Sequence, residues 1–150
     1  MLRCYNYDIV CQEIPGEITL AVNISCCPNR CPGCHSPWLW EEGGEPMTEK
    51  MLRNLIESYS SAITCFCFMG GDAEPTEVER ISVWIKKEYP GIKTAWYSGR
   101  EEIPHGFDVS CLDFLKLGPY IERLGGLKSP ETNQVLYKVS REGKLERIRL

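Results

Sequence analysis

The chain has 150 residues, 43% hydrophobic and 25% charged, with a net charge of −4. Those values fit one domain over residues 1–150 with a substantial core, and without a basic stripe they exclude nucleic acid as an expected partner. No apolar run approaches the roughly 20 residues that cross a bilayer, and Met1-Leu2-Arg3-Cys4-Tyr5-Asn6-Tyr7 lacks the apolar stretch of a signal peptide, so the expectation is a cytoplasmic protein with no membrane partner.

In chain order, Ile18 to Ile24 alternates large apolar residues with small or polar ones, the period of a strand. It runs into Cys26-Cys27-Pro28-Asn29-Arg30-Cys31-Pro32-Gly33-Cys34-His35. Thr48 can N-cap a helix in which Met51, Leu52, Leu55, Ile56 and Tyr59 share one face. Ile63 to Met69 is a continuous apolar run, as in a buried parallel strand, and it ends at Gly70-Gly71-Asp72. Thr76 and Glu79 form a capping box for a second helix with Val78, Ile81, Ile85 and Tyr89 inward, stopped by Pro90-Gly91. Ile92 to Tyr97 is a third strand ending at Ser98-Gly99, and Cys111 to Leu117 a fourth ending at Gly118-Pro119. Val135–Val139 and Leu145–Leu150 read as a C-terminal hairpin. The alternation predicts an α/β fold: a mainly parallel sheet with right-handed crossovers and that hairpin. Ligands of such sheets bind beyond the carboxyl ends of the strands. The cysteine run, Gly70-Gly71-Asp72, Ser98-Gly99 and Gly118-Pro119 all follow strand ends, so they should share one rim.

Nine cysteines is a high and odd number for this length. A secreted disulfide framework would be even, whereas the run at 26–34 suits metal chemistry in a reducing compartment. Cys27, Cys31 and Cys34 make a Cys-x3-Cys-x2-Cys spacing, a soft-ligand set for zinc or an iron–sulfur cluster. A zinc site needs a fourth ligand, from Cys26, His35, Cys65 or Cys67, and adjacent residues are awkward to aim at one ion. A simple electron-transfer cluster also needs a fourth cysteine. Three thiolates on a four-iron cluster instead leave one iron open to a substrate.

Gly70-Gly71 permits either a tight strand–helix turn or close backbone approach to a ligand, and Asp72 could receive an ammonium group. Ser98-Gly99 is either a strand-end turn or a hydroxyl and bare backbone offered at the rim. Cys65 and Cys67 lie two apart on one strand face, where core packing is expected, and Cys4, Cys11 and Cys111 carry the same expectation. His105 reads as a loop residue. His35 is either an aromatic neighbour for an adenine or a solvated side chain.

These residues resemble a known superfamily. Cys27-x3-Cys31-x2-Cys34 is the signature of the radical S-adenosylmethionine enzymes. Within them, Cys31-Pro32-Gly33-Cys34, Gly70-Gly71-Asp72, Trp96-Tyr97-Ser98-Gly99, Leu117-Gly118-Pro119-Tyr120 and Thr132-Asn133-Gln134 resemble, in that order, the activating-protein family of anaerobic ribonucleoside-triphosphate reductase. The resemblance implies a compact incomplete (β/α) barrel and a [4Fe-4S] cluster on Cys27, Cys31 and Cys34. It implies S-adenosylmethionine chelated at the open iron, with cofactor contacts from Gly33, His35, Gly70, Gly71, Asp72 and Ser98. A low-potential donor such as flavodoxin would supply one electron, releasing methionine and a 5′-deoxyadenosyl radical. That radical would take hydrogen from a glycine of the large reductase subunit. Two features differ from many members: Gly33 replaces an aromatic residue before the third cysteine, and the stretch Gly125–Gln134 is longer than their Gly-Ser-x-Asn-Gln. Two other classes stay open: a small radical enzyme acting on a small molecule, such as a deazapurine-type synthase, and a zinc-binding interaction module.

Overall fold

The structure is a computed structural model that describes residues 1–25 and 44–148. Among these residues the strands are β1 (Arg3–Val10), β2 (Thr19–Ile24), β3 (Glu45–Pro46), β4 (Cys65–Met69), β5 (Lys93–Tyr97), β6 (Phe114–Leu117), β7 (Val135–Val139) and β8 (Leu145–Ile148). The helices are α1 (Glu49–Tyr59) and α2 (Pro75–Glu88). All eight strands form one open sheet in the order β3-β1-β2-β4-β5-β6-β7-β8. The four central strands, β2, β4, β5 and β6, are parallel, with Val22 opposite Phe68, Phe68 opposite Trp96 and Trp96 opposite Leu115.

The flanks correct the expectation of a mainly parallel sheet. β1 and β3 on one side and β7 and β8 on the other pair antiparallel, so the sheet is mixed. The sequence reading does not anticipate β1 or β3. Tyr5, Asn6, Tyr7 and Asp8 are all exposed at the sheet margin, so no apolar alternation marks the strand. β3 is only two residues long. The C-terminal hairpin is present, with Leu136 opposite Ile148.

Period-two alternation divides the sheet into two faces. Leu20, Val22, Phe66, Phe68, Trp96 and Leu115 pack under the helices, with Leu52, Ile56, Ile81 and Ile85 above them. Cys65, Cys67, Ala95, Tyr97, Phe114 and Leu136 point the other way and form a second apolar cluster. The loop between β1 and β2 covers part of that second face, and its Ile14 is fully buried there.

The helix ends follow local chemistry. Thr48 caps α1 as expected, its hydroxyl accepting from the Met51 amide at 3.2 Å. The capping box expected at Thr76 and Glu79 is not formed. Pro75 supplies a preset φ at the first helical position, so the helix starts before Thr76 and Glu74 is its N-cap without a side-chain bond. Glu79 is used elsewhere, its carboxylate accepting from the Asp108 amide at 2.6 Å. The fourth strand is also shorter than expected. Asp108 caps a 3-10 turn over Val109–Cys111, which places Cys111 before β6.

Candidate functional site at the carboxyl rim

The parallel register brings the carboxyl ends of β2, β4, β5 and β6 to one edge. Chain continuity delivers Ser25 from β2 to that edge, one residue before the cysteine run. Gly70-Gly71-Asp72 follows β4, Ser98-Gly99 follows β5 and Gly118-Pro119 follows β6. These loops are stitched to one another. The Gly70 amide donates to the Tyr97 carbonyl at 3.2 Å, the Ser98 amide to the Lys116 carbonyl at 2.9 Å, and the Gly118 amide to the Arg100 carbonyl at 2.7 Å.

Asp72 joins the β4 and β5 loops. It is only 2% exposed. Its Oδ1 accepts from the Ser98 hydroxyl at 2.5 Å and its Oδ2 from the Gly99 amide at 2.9 Å. Arg100 adds a bond from its guanidinium to the Asp72 carbonyl at 3.3 Å, while its amide donates to Ser98 Oγ at 3.1 Å. Buried carboxylates need such donors because isolated charge is costly to desolvate. The arrangement makes Asp72 and Ser98 the fastening of the rim.

Both glycines of the β4 loop have positive φ, 112° at Gly70 and 92° at Gly71, a region where side chains are strained. The Gly70 carbonyl accepts from the Trp96 indole N–H at 2.7 Å. A Cβ at Gly71 would lie 2.9 Å from Val78 Cγ2 and close to Ile24 and Leu2. The crowding therefore points into the core under α2, and the tight strand–helix turn expected here is present.

On the second face of the sheet, next to the rim, lies a cavity of about 460 Å³. Glu13, Met69, Tyr97, Lys116, Leu127 and Gln134 are among its lining residues. Lys116 is 8% exposed, its Nζ bonded to the Gly118 carbonyl at 3.2 Å and 5.8 Å from the Tyr97 ring centroid. Gln134 Nε2 reaches the same carbonyl at 3.4 Å. The Tyr97 hydroxyl donates to the Glu13 carbonyl at 2.5 Å, and burial holds its pKa well above the ordinary phenol value. The sequence reading passed over Lys116, although a lysine within Phe114-Leu115-Lys116-Leu117 breaks an otherwise buried apolar strand. A second hollow of similar size lies at the opposite edge, beside the Lys86–Asp113 ion pair, away from the rim loops.

Cys4, Cys65, Cys67 and Cys111 are buried. Burial, with nearby carboxylates, pushes the Cys65 and Cys111 thiols up to about 12 and the Cys4 thiol to about 11. Cys67 is raised well above its ordinary value, first by burial and then by Cys65. Neutral thiols are poor metal ligands, and the core packing expected of Cys65 and Cys67 is found. Cys11 is exposed, which departs from the packing expected of it. No group of three or more potential metal ligands occurs among the described residues. Cys27, Cys31, Cys34, Gly33 and His35 lie outside the described residues. His105 sits in the loop before Asp108, as expected.

The central parallel strands end at one stitched rim, where β2 stops one residue before the cysteine run. Residues 15–117, more than half of the chain, match the family described as the 4Fe-4S single cluster domain, and the chain belongs to that family. No curated protein and no solved structure matches the chain. No helix among the described residues is long and apolar enough to cross a membrane.

Proposed function

We propose that the protein is a radical S-adenosylmethionine activating enzyme that installs a glycyl radical on the large subunit of anaerobic ribonucleoside-triphosphate reductase. The observation that carries this reading is the convergence of the Gly70-Gly71-Asp72, Ser98-Gly99 and Gly118-Pro119 loops on the rim from which the chain enters Cys27-x3-Cys31-x2-Cys34. In this reading the open sheet is a compact incomplete (β/α) barrel of the radical S-adenosylmethionine type.

Cys27, Cys31 and Cys34 hold the [4Fe-4S] cluster. The donor chemistry fits: Cys27, Cys31 and Cys34 are closely spaced soft ligands, whereas Cys65, Cys67 and Cys111 are committed to the core. When bound, the cluster and S-adenosylmethionine supply one-electron cleavage of the sulfonium and hydrogen abstraction from the partner's glycine. The chain's own residues orient and shield that chemistry. Gly70 and Gly71 let the β4 loop take the positive-φ turn that sets its main chain at the rim. Asp72 holds the β4 and β5 loops at fixed separation through Ser98 and Gly99, so that the methionyl end meets a prearranged backbone. Gly33 and His35 flank the third cysteine and serve the adenosyl side. A low-potential donor such as flavodoxin delivers the electron.

The cavity beside Lys116 favours a second reading, a small radical enzyme acting on a small molecule of the deazapurine type. The two readings part on one experiment. Anaerobically reconstituted protein, S-adenosylmethionine, dithionite and the reductase subunit from the same cell should give a doublet in electron paramagnetic resonance. The doublet should vanish when the subunit's target glycine is changed to alanine. Cleavage of S-adenosylmethionine with no doublet on the subunit would favour the small-molecule reading.

A further inference from the structure

The hollow at the edge opposite the rim gathers positive charge in a chain whose net charge is −4. Lys86 from the last turn of α2, Lys93 at the start of β5 and Arg141 from the turn between β7 and β8 line it, against the single carboxylate of Asp113. Lys86 Nζ bonds Asp113 Oδ2 at 2.7 Å. Lys93 Nζ bonds Glu17 Oε2 at 2.8 Å, and Glu17 is not in the lining. An ammonium carries more than one N–H donor, so each lysine keeps donors beyond its ion pair. The Arg141 guanidinium has no hydrogen bond or ion pair among the described residues. α2 ends beside the hollow, and Lys86 and Lys87 in its last turn offset the negative end of the helix.

Main-chain bonds hold these walls. Asp113 is fixed on every side: its Oδ2 also accepts from the Thr94 amide at 2.9 Å, its amide donates to the Thr94 carbonyl at 2.7 Å, and its carbonyl accepts from the Val139 amide at 2.8 Å. The turn that carries Arg141 closes through the Ser140 amide on the Lys144 carbonyl at 2.9 Å and the Gly143 amide on the Ser140 carbonyl at 3.0 Å. Ser140 Oγ accepts from the Lys144 amide at 3.0 Å, and its own proton has no acceptor among the described residues. Ile92, Leu112 and Val139, all buried, give the hollow an apolar side.

We propose that this hollow binds a small organic phosphomonoester, with the phosphoryl group on Arg141, Lys93 and Lys86 and the organic body against Ile92, Leu112 and Val139. The charge selects the head group. Three cations and one carboxylate leave the lining with a formal charge of +2, which a phosphomonoester at about −1.5 to −2 matches; a single carboxylate would leave a cation unmet. The planar fork of a guanidinium fits phosphate oxygens in pairs. The size selects the body. The hollow measures about 460 Å³, within the rough 300–1,000 Å³ range of small-molecule sites, and its apolar side offers nothing to a bare inorganic ion. The site lies away from the rim loops, so the inference goes beyond the proposed reaction and does not depend on it.

The test is calorimetric titration of the full chain, reconstituted with iron and sulfide, at one fixed salt concentration. The probes are phenyl phosphate, inorganic phosphate and phenol. Phenyl phosphate should bind with a Kd of about 1 mM or below. Burial of its ring should make it at least ~threefold tighter than inorganic phosphate, and phenol should not bind. Arg141→Gln should weaken phenyl phosphate at least ~tenfold, the equivalent of about 1.4 kcal/mol. Lys87→Gln removes the same charge from the same edge but outside the lining, and should leave the affinity unchanged. Both side chains are exposed, so both variants keep the fold. No binding of phenyl phosphate to the unaltered protein would overturn the site. Equal losses in the two variants would also overturn it, because the attraction would then belong to the whole edge. Phenol binding as tightly as phenyl phosphate would contradict the phosphoryl assignment, and inorganic phosphate doing so would contradict the organic body.

Discussion

Ser98 donates its hydroxyl to Asp72 Oδ1 at 2.5 Å, and both side chains are almost fully buried. This bond joins the ends of two adjacent parallel strands, β4 and β5, at the edge where the cysteine run begins. It gives Asp72 a structural duty: its carboxylate accepts from the Ser98 hydroxyl and the Gly99 amide.

That duty sets the cost of removing it. Asp72→Ala leaves the buried Ser98 hydroxyl and the Gly99 amide without their acceptor. A loss of about 1–3 kcal/mol is expected from unsatisfied buried donors, read as a lower melting temperature. Ser98→Ala should cost less, because the Gly99 amide still serves the carboxylate. Equal stability of Asp72→Ala and the unaltered protein would contradict the fastening role.

Gly71→Val should act on the fold. The added Cβ would meet Val78 Cγ2 at 2.9 Å on a backbone with φ 92°. We expect destabilisation of about 1–3 kcal/mol from strain and overpacking. A variant of unchanged stability that has lost only S-adenosylmethionine affinity would show that the side chain points at the ligand instead.

The buried thiols give a pH dependence. Cys65 and Cys111 are raised from 9.0 to about 12 in the folded protein, mainly by burial. Below pH 9 these thiols are protonated in both folded and unfolded chains. Between pH 9 and about 12 the unfolded chain releases protons that the folded one retains, so stability falls as pH rises through that window. Denaturant melts from pH 8 to pH 11 should show the fall, and Cys65→Ala should reduce its slope. In the folded protein at neutral pH, iodoacetamide should modify the exposed Cys11 before Cys65, Cys67 or Cys111.

Much of this was legible from residue patterns, for identifiable reasons. β2, β4 and β5 are buried on both faces or alternate cleanly, and their ends are marked by glycine or serine. Thr48 sits directly before the apolar periodicity of α1. The rim followed from parallel order alone, which places strand ends together whatever their motifs. What escaped was set by tertiary context. β1 is a polar margin strand recognised only through its pairing with β2. The start of α2 was decided by Pro75 over Thr76. The tie between Asp72 and Ser98 spans 26 residues, and no local pattern links them. The cavity wall depends on Leu127 and Ile14 meeting across one sheet face.

The cysteines should divide into two groups. Cys27→Ala, Cys31→Ala and Cys34→Ala should each abolish cluster assembly with iron and sulfide, whereas Cys65→Ala and Cys111→Ala should assemble it normally. The buried pair should lose only stability, about 0.5–3 kcal/mol as for ordinary core truncations. Cluster loss on removing Cys65 would place a fourth ligand in the sheet.

The most direct single measurement is the yield of 5′-deoxyadenosine from anaerobically reconstituted protein given S-adenosylmethionine and dithionite, with iron and zinc determined on the same sample. Iron-loaded protein that forms 5′-deoxyadenosine, and stops doing so when Cys27, Cys31 or Cys34 is replaced, is the expected result. Protein that carries zinc without iron, or a full iron complement that leaves S-adenosylmethionine intact, would contradict it.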